Sequence, residues 1–168
     1  EMTSQRWRCS WRWGPPSSKE AVPGAVEVRS DPPHNHPVQV VLGLGGNLGD
    51  VLSALVAARA QLGAWTRVLA ASRVYRTAPV GPVAQPTFLN AALLIGDDHG
   101  LCKLLERCHE LEAAAGRDRA AEPRWGPRPL DIDLLAARDV VHRGPRLELP
   151  HPRLHERAFA LLPAAEVA

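Results

Sequence analysis

Short apolar runs alternate with segments of helical spacing from residue 38 to the end of the chain. Four apolar runs, each bounded by glycine, proline or polar clusters, predict β-strands over residues 38–44, 66–77, 88–96 and 130–137. Apolar residues recur three and four positions apart over 51–62 and 101–116, which predicts two helices. Asp50 is a suitable N-cap for the first helix, and Gly63 and Gly116 are expected to end the two helices.

The resulting order, β-α-β-β-α-β, is typical of an α+β ferredoxin-like sandwich, an antiparallel sheet with two helices packed on one face. A short strand over 140–143 and a C-terminal helix broken at Pro163 are expected to follow. The loops over 77–87 and 116–129 exceed the usual connection length. Because long loops in a compact domain are often functional, we expect these two to carry the chemistry.

Residues 1–37 differ from the rest of the chain. They hold six of the sixteen prolines and three of the five tryptophans, and neither a helical nor a strand period persists there. The pattern predicts a disordered or poorly ordered extension over 1–37 and one domain over 38–168.

Composition narrows the class of protein. The net charge of +2 does not suggest nonspecific binding of nucleic acid, and no apolar run reaches the roughly 20 residues that span a bilayer. Three irregularly spaced cysteines are too few for a disulfide framework. We expect a cytoplasmic monomer without a nucleic-acid, membrane or protein partner.

Two aspartates interrupt the last apolar run, in "RWGPRPLDIDLL" (124–135). In a strand, Asp131 and Asp133 would project to the same side, while Ile132 and Leu134 would point into the core. Neighbouring carboxylates repel each other unless a cation lies between them, and Mg²⁺ prefers such oxygen ligands together with phosphate oxygens. A solvent-facing strand with two charges on its wet face is the alternative interpretation.

Arginines crowd the loop before this pair, and guanidinium groups suit phosphate oxygens. Carboxylates for metal beside arginines for phosphate are typical of nucleotide phosphoryl transfer, although any one arginine could simply be solvated. Trp125 could anchor the loop or contact a base. The arginines are Arg117, Arg119, Arg124 and Arg128.

Other motifs leave alternatives open. No G-x-x-x-x-G-K-[ST] pattern occurs, and "GLGGNLG" has Leu48 where a dinucleotide fingerprint needs glycine, so its glycines predict a tight turn. His151 and His155 have spacing that could ligate zinc on a helix, but flanking prolines argue against a shared face. Phe88 and Asn90 could hold a flat heterocycle, or serve as a core residue and a turn cap.

Five motifs in order, "LGGNLGD", "VYRTAPVGPVAQPTFLNAA", "ELEAAAGRDR", "RWGPRPLDIDLL" and "LPHPRLHERAF", resemble the 6-hydroxymethyl-7,8-dihydropterin pyrophosphokinase family. The resemblance runs from about residue 38 to the end of the chain. It implies a ferredoxin-like α+β fold, in agreement with the predicted order of elements. It also implies transfer of diphosphate from ATP to a pterin alcohol in folate biosynthesis, with release of AMP.

The resemblance implies roles for individual residues. Asp131 and Asp133 would bind two Mg²⁺ ions that bridge the ATP phosphates. The catalytic residues would be Arg117 and Arg119, on a mobile loop that closes over the nucleotide, and Arg128. The ATP-binding residues would be His109, Glu112, Trp125, Ile132, Leu134, His151 and Arg157. The pterin-binding residues would be Thr77, Ala78, Val80, Phe88, Asn90 and Phe159.

The chain departs from the family pattern at several points. Ala78 replaces a frequent proline, His109 replaces a common glutamine, and Pro123 is an extra residue in the catalytic loop. The C-terminal end is expected to be shortened.

Two other functions remain open from the residues alone. A metal-dependent nucleotide phosphohydrolase could use the same aspartate pair and would consume ATP without a pterin. A ferredoxin-like small-molecule or RNA-binding module is the second alternative, but an RNA-binding sheet should carry aromatic residues where strand four carries acids.

Overall fold

The computed structural model describes residues 26–28, 37–79, 84–119 and 126–168. Over these ranges the fold is α+β, with three α-helices and one mostly antiparallel sheet. The strands are β1 (Val26–Val28), β2 (Val38–Gly46), β3 (Arg67–Ala71), β4 (Tyr75–Thr77), β5 (Phe88–Asp97), β6 (Asp131–Ala137), β7 (Val140–Arg143) and β8 (Glu148–Leu149). The helices are α1 (Val51–Trp65), α2 (Leu101–Ala114) and α3 (Ala158–Val167), and a 3-10 turn covers Leu154–Glu156.

Strand β2 lies at the centre of the sheet, whose order is β1-β7-β6-β2-β5-β3, with β4 on β5 and β8 on β7. Both neighbours of β2 are antiparallel to it. Gly43 pairs with Asp133, and Gly45 pairs with Asp131 on one side and Asn90 on the other. The pairing therefore brings the aspartates and the asparagine to the same end of the sheet.

The two faces of the sheet bury different elements. Alternate residues of β2, Val40, Leu42 and Leu44, belong to the main core with the apolar sides of α1 and α2. Val41 faces the other way and packs in a second, smaller cluster with Leu135 and α3. Because strand residues alternate between faces, the face that carries α3 is also the face of Asp131 and Asp133.

The predicted strand over 66–77 is two strands. Ala71 pairs with Leu93 but Tyr75 pairs with Asn90, so one extra residue is accommodated between them. Ser72 explains the break, because its backbone amide donates to the carbonyl of Ala92 while its hydroxyl accepts from the amide of Ala92, at 2.9 and 2.8 Å. A side-chain oxygen thus replaces a backbone acceptor, which is typical of a bulge.

Only one of the two helices with a predicted glycine stop ends at that glycine. Gly116 has φ +90° just after α2, so the prediction that it ends this helix is confirmed. Gly63 does not end α1, which continues to Trp65, and that prediction is wrong. Asp50 is the N-cap of α1, as predicted, and accepts from the amide of Ser53.

The C-terminal helix is not broken at Pro163, contrary to prediction. A proline inside a helix removes one backbone hydrogen bond. Here Pro163 itself is buried, and it packs with Ala160, Ala164 and Val167 along the buried side of α3. Tertiary packing therefore outweighs the local preference.

Residues 26–28 form a strand parallel to β7, within the segment predicted to be an extension. The rest of 1–36 lies outside the described residues, so the boundary at residue 37 stays a prediction. None of the helices in the described ranges is long and apolar enough to cross a bilayer.

Candidate active site

A cavity of about 520 Å³ opens on the sheet face that also carries α3. Its floor includes Gly43 and Gly45 of β2, whose lack of a side chain lets Leu135 and Asn90 approach the strand, to 3.0 and 2.6 Å from where a Cβ atom would lie. Five arginines and three carboxylates line it, an excess of two positive charges that favours an anionic ligand. The predicted site residues in its lining are Thr77, Ala78, Phe88, Asn90, Arg117, Arg119, Arg128, Asp131, Asp133, Arg157 and Phe159.

A second cavity, of about 330 Å³, shares Arg119 and Asp133 with the first. Four residues predicted to bind ATP line it, namely His109, Ile132, Leu134 and His151. Ile132 and Leu134 are buried, at 1% and 3% exposure, as the alternation along β6 predicts. Nearly all the predicted residues therefore line one of two cavities that meet at Asp133.

The aspartate pair is occupied by arginines. Asp131 accepts from Arg117 and lies 3.1 Å from Nη2 of Arg128. Asp133 accepts from Nη1 of Arg157 at 3.1 Å. Burial raises the pKa of Asp133, and the neighbouring charge of Asp131 raises it further. Two ionised carboxylates are therefore costly here unless cations surround them.

This donor set fits Mg²⁺. The ion commonly uses one or two protein carboxylates and takes its remaining ligands from water and substrate phosphates. Among the described residues, no group of three or more His, Cys, Asp or Glu side chains could hold a metal by itself. The aspartate pair thus leaves most coordination positions to a phosphate ligand. The zinc hypothesis for His151 and His155 gains no ligand set in the same ranges.

Each aspartate is joined through an arginine to a phenylalanine. The guanidinium carbon of Arg128 lies 5.5 Å from the ring centre of Phe88. That of Arg157 lies 5.9 Å from the ring centre of Phe159. The Nε atoms of both arginines are buried and find no acceptor in the part of the chain that the structure describes. Unsatisfied cationic donors are unfavourable, so both arginines are poised for an anionic acceptor.

Glu112 of α2 holds the two arginines that follow this helix, Arg117 and Arg119. Its Oε1 accepts from Nη1 of Arg117 at 2.8 Å and from the amide of Ile132 at 2.7 Å. Its Oε2 accepts from Nε and Nη2 of Arg119 at 2.9 and 2.5 Å. The side chain is 1% exposed, and this burial raises its pKa. Because both oxygens are engaged, Glu112 positions the arginines, and its predicted contact with ATP stays a prediction.

Uncharged side chains also line the first cavity. Asn90 donates from Nδ2 to Oγ1 of Thr77 at 2.8 Å, across the β4–β5 pair. Phe88, two residues before Asn90 on β5, is partly exposed, as is Phe159 at the start of α3. Two predicted residues, Val80 and Trp125, lie outside the described residues.

Both predicted histidines lie at the second cavity. Nδ1 of His151 accepts from the amide of Arg153 at 3.2 Å, which leaves Nε2 as the protonated nitrogen of the neutral ring. Burial lowers the pKa of His151 and of His109. Neutral His151 can therefore offer one N–H donor to a ligand.

Some polar and charged residues at the first cavity were not predicted. Gln85, Arg153 and Glu156 line the first cavity, and Asn47 supports it through hydrogen bonds. Asn47 lies within "GGNLGD", which the pattern marked only as a turn. Arg153 and Glu156 are charged residues near His151, but their spacing gave no sign that they face the cavity.

Comparison with known proteins gives a consistent result. Residues 41–168 match the family model for 7,8-dihydro-6-hydroxymethylpterin-pyrophosphokinase. The chain is 48% identical over 129 residues to a Methylorubrum extorquens protein, covering 76% of this chain and 80% of the relative. It is 43% identical over 137 residues to a Mycobacterium bovis protein, covering 74% and 70%, and 40% identical over 129 residues to a Bacillus subtilis protein, covering 75% of each. All three relatives are named 2-amino-4-hydroxy-6-hydroxymethyldihydropteridine pyrophosphokinase.

Proposed function

We propose that this chain, which belongs to the 7,8-dihydro-6-hydroxymethylpterin-pyrophosphokinase family, transfers diphosphate from ATP to the hydroxymethyl group of 6-hydroxymethyl-7,8-dihydropterin. AMP is the second product, and the reaction is a step of folate biosynthesis. The observation that carries the proposal is one cavity lined by an aspartate pair, five arginines, two phenylalanines and the amide of Asn90. Such a cavity suits a phosphate donor and a flat acceptor together.

The ferredoxin-like fold is part of the proposal. The four central strands run in the order β6-β2-β5-β3, with every neighbouring pair antiparallel. Helix α1 connects β2 to β3, and α2 connects β5 to β6, as in a βαββαβ unit. Strands β4, β7 and β8 and helix α3 are then additions to that unit.

The pterin lies between Phe88 and Phe159. Flat heterocycles stack favourably on aromatic rings, and an amide can pair with their ring nitrogens and exocyclic groups. Asn90 supplies the amide, and Thr77, Ala78 and Val80 complete the pocket. Arg128 and Arg157 contact the two rings in the structure described above, so they must shift towards the phosphates as the pterin enters.

The ATP phosphates lie over Asp131 and Asp133, which would hold two Mg²⁺ ions. When bound, the ions would neutralise phosphate charge and fix the phosphate oxygens in place. Arg117, Arg119, Arg128 and Arg157 surround the same oxygens, and Nε2 of His151 donates to one. The adenosine part extends into the second cavity, beside His109, Ile132 and Leu134, with Trp125 contacting the nucleotide.

The reaction is a displacement at the β-phosphorus of ATP. The hydroxymethyl oxygen forms a bond to this phosphorus, and the bond from the phosphorus to the oxygen of the α-phosphate breaks. The electron pair leaves with that oxygen as AMP, and the proton of the attacking hydroxyl group is released to water. The arginines stabilise negative charge on the transferred group, and the aromatic pocket aligns the attacking oxygen.

Arginine exchange links binding to catalysis. Without ligand, the arginines neutralise Asp131, Asp133 and Glu112. With ATP bound, the arginines would donate to its phosphates, and Asp131 and Asp133 would then be available to hold Mg²⁺. Charges then remain paired throughout, which limits the cost of burying the triphosphate.

The decisive experiment incubates the purified chain with Mg-ATP and 6-hydroxymethyl-7,8-dihydropterin and follows the nucleotide products. We expect AMP and the pterin diphosphate in equal amounts, and no AMP when the pterin is omitted. ATP consumption without pterin would instead support a phosphohydrolase. ADP as the sole nucleotide product would contradict the proposal.

A further inference from the structure

The residues Gly45, Gly46 and Asn47, here called the GGN turn, end strand β2 between the two halves of the first cavity. A Cβ atom on Gly45 would lie 2.6 Å from Oδ1 of Asn90, the amide on the pterin side. A Cβ atom on Gly46 would lie 2.4 Å from the carbonyl oxygen of Pro129, next to Arg128. Both separations are too short for any side chain. The turn therefore fits closely against both halves of the site.

Asn47 connects these halves through its side chain. Its Nδ2 donates to Oε1 of Gln85 and to the carbonyl of Pro86, both at 3.0 Å. Its Oδ1 accepts from the amide of Arg128 at 2.9 Å. The backbone amides of Asn47 and Leu48 both donate to the carbonyl of Arg128, at 2.9 and 3.2 Å.

This network holds two segments that carry ligand-facing residues. Residues 84–87 lead directly into Phe88, and residues 126–129 include Arg128. Asn47 is 6% exposed. It is not one of the described residues that line the two cavities. Its influence on substrates must therefore act through the segments that it holds.

We propose that Asn47 is a positioning residue that couples the pterin half of the site to the phosphate half. The inference rests on the proposed function and deepens it. Binding of the nucleotide fixes Arg128 and hence, through Asn47, the segment that leads into Phe88. Binding of the pterin in turn fixes the segment that leads into Phe88 and, through Asn47, Arg128, because coupling between two sites is reciprocal.

The buried position makes the coupling strong. One side-chain amide uses both of its N–H donors and its oxygen on the two segments, so neither segment can move alone without leaving a buried polar group unsatisfied. A water-exposed asparagine could exchange these partners for solvent at little cost.

The test measures coupling between two ligands with purified full-length protein. The probes are the pterin substrate and α,β-methylene ATP with Mg²⁺, whose carbon bridge replaces the oxygen at the bond that would break. The coupling factor is the Kd of the pterin without the analogue divided by its Kd with the analogue, from pterin fluorescence. We expect a factor of about ten or more for the wild type, which falls below about two in Asn47→Ala.

Two further variants separate coupling from loss of stability. Asp50→Ala removes the N-cap of α1 in the same connection, including the 2.7 Å bond from Ser53 Oγ, but touches neither segment. It should keep the wild-type factor. Asn47→Asp keeps an acceptor for the amide of Arg128 and loses both donors, so it should lose the coupling as Asn47→Ala does.

Hydrogen exchange without ligand provides a second readout. Asn47→Ala should raise amide exchange over both 84–90 and 126–130, whereas Asn47→Asp should raise it mainly over 84–90. Asp50→Ala should raise exchange only at the start of α1. If circular dichroism shows that Asn47→Ala does not fold, the coupling factor of Asn47→Asp decides whether Asn47 couples the two halves.

Three outcomes would overturn the inference: a wild-type factor near one, an unchanged factor in both Asn47 variants, or an equal loss in Asp50→Ala. AMP formation by the wild type is measured in parallel. It distinguishes failure of the positioning role of Asn47 from failure of the proposed function. An active wild type with unchanged coupling in the Asn47 variants contradicts the positioning role alone. A wild type that binds both ligands but forms no AMP contradicts the function alone.

Discussion

Two clusters of arginine and carboxylate differ in where they lie. The cavity cluster, formed by Glu112, Asp131 and Asp133 with their arginines, has a buried base, with Arg117 at 8% and Glu112 at 1% side-chain exposure, and opens towards Asp133 at 36% and Arg119 at 50%. The C-terminal clasp, formed by Arg73, Tyr75 and Glu166, lies at the surface, where Arg73 is 82% exposed. In the clasp, Glu166 of α3 accepts from the amide and Nε of Arg73, both at 2.8 Å, and from the hydroxyl of Tyr75.

The same chemistry has opposite electrostatic consequences in the two clusters. Hydrogen bonds from Tyr75 and Arg73 lower the pKa of Glu166 to about 2. Burial raises the pKa of Glu112 and Asp133 even though arginines contact them. The environment therefore favours the ionised carboxylate in the clasp, whereas burial disfavours the ionised carboxylates in the cavity cluster. We infer that the clasp holds α3 in place, whereas the cavity cluster keeps charges ready for a ligand.

The largest effect is expected from Asp131→Asn or Asp133→Asn. Each removes one carboxylate charge that we propose binds metal, with almost no change in shape, so turnover should fall by at least about a hundredfold to a thousandfold. Turnover is measured as AMP release, and calorimetry should show that Mg²⁺-dependent uptake of α,β-methylene ATP is weakened in parallel.

Glu166→Gln is the matched control, since it makes the same carboxylate-to-amide change in the clasp. Its turnover should remain that of the wild type. Near-normal activity in either aspartate variant would contradict the metal role, and an equal loss in Glu166→Gln would remove the distinction between the clusters.

Arg119→Ala should slow the chemical step more than it weakens substrate binding. Arg119 is half exposed and is held by Glu112, so it can reach a phosphate whose charge grows during transfer. Single-turnover rates compared with separately measured dissociation constants provide the test. Arg73→Ala, which removes an exposed arginine from the clasp, is the control. Equal losses in rate and binding for Arg119→Ala would argue against its role on the catalytic loop.

Glu112→Gln should destabilise the protein by about 3 kcal/mol, because it removes a buried carboxylate that pairs with Arg117 and leaves Asp131 to pair with this arginine. Urea unfolding followed by circular dichroism measures the change. Glu110→Gln on the same helix is the control, since Glu110 is 65% exposed and its i,i+3 pair with Arg107 should contribute little. Similar stabilities for the two variants would show that Glu112 is not an anchor.

The strand that carries the aspartates could be predicted because its signal is local. Alternation between Asp131, Ile132, Asp133 and Leu134 specifies which side chains share a face whatever the neighbouring strands are. The ends of elements were harder. The bulge at Ser72 depends on a hydroxyl that replaces a backbone acceptor, and the continuity of α3 through Pro163 depends on packing against the sheet. Neither cause is visible in hydrophobic periodicity.

The supporting contacts of the site could not be predicted for a related reason. Glu112 was predicted to bind ATP, and its role as an anchor arises because α2 passes the outer edge of β6, where the amide of Ile132 needs an acceptor. Asn47 looked like a turn residue until the segments around Gln85 and Arg128 were placed beside it. Such roles depend on contacts between distant parts of the chain, which spacing along the sequence does not specify.

The smallest effect is expected from acid titration of the clasp. Because the pKa of Glu166 is lowered from 4.5 to about 2, its ionised form favours the folded state, and this contribution is fully present above pH 4.5 and lost as pH falls through about 2. The free energy of unfolding of the wild type should therefore slightly exceed that of Glu166→Gln at neutral pH. The gap should narrow between pH 4.5 and 2. Urea unfolding of both proteins over this range measures the gap, and other acids cancel in the difference because they titrate in both. A gap that stays constant down to pH 2 would show that charge on Glu166 does not hold α3, and the clasp would then differ from the cavity cluster only in exposure.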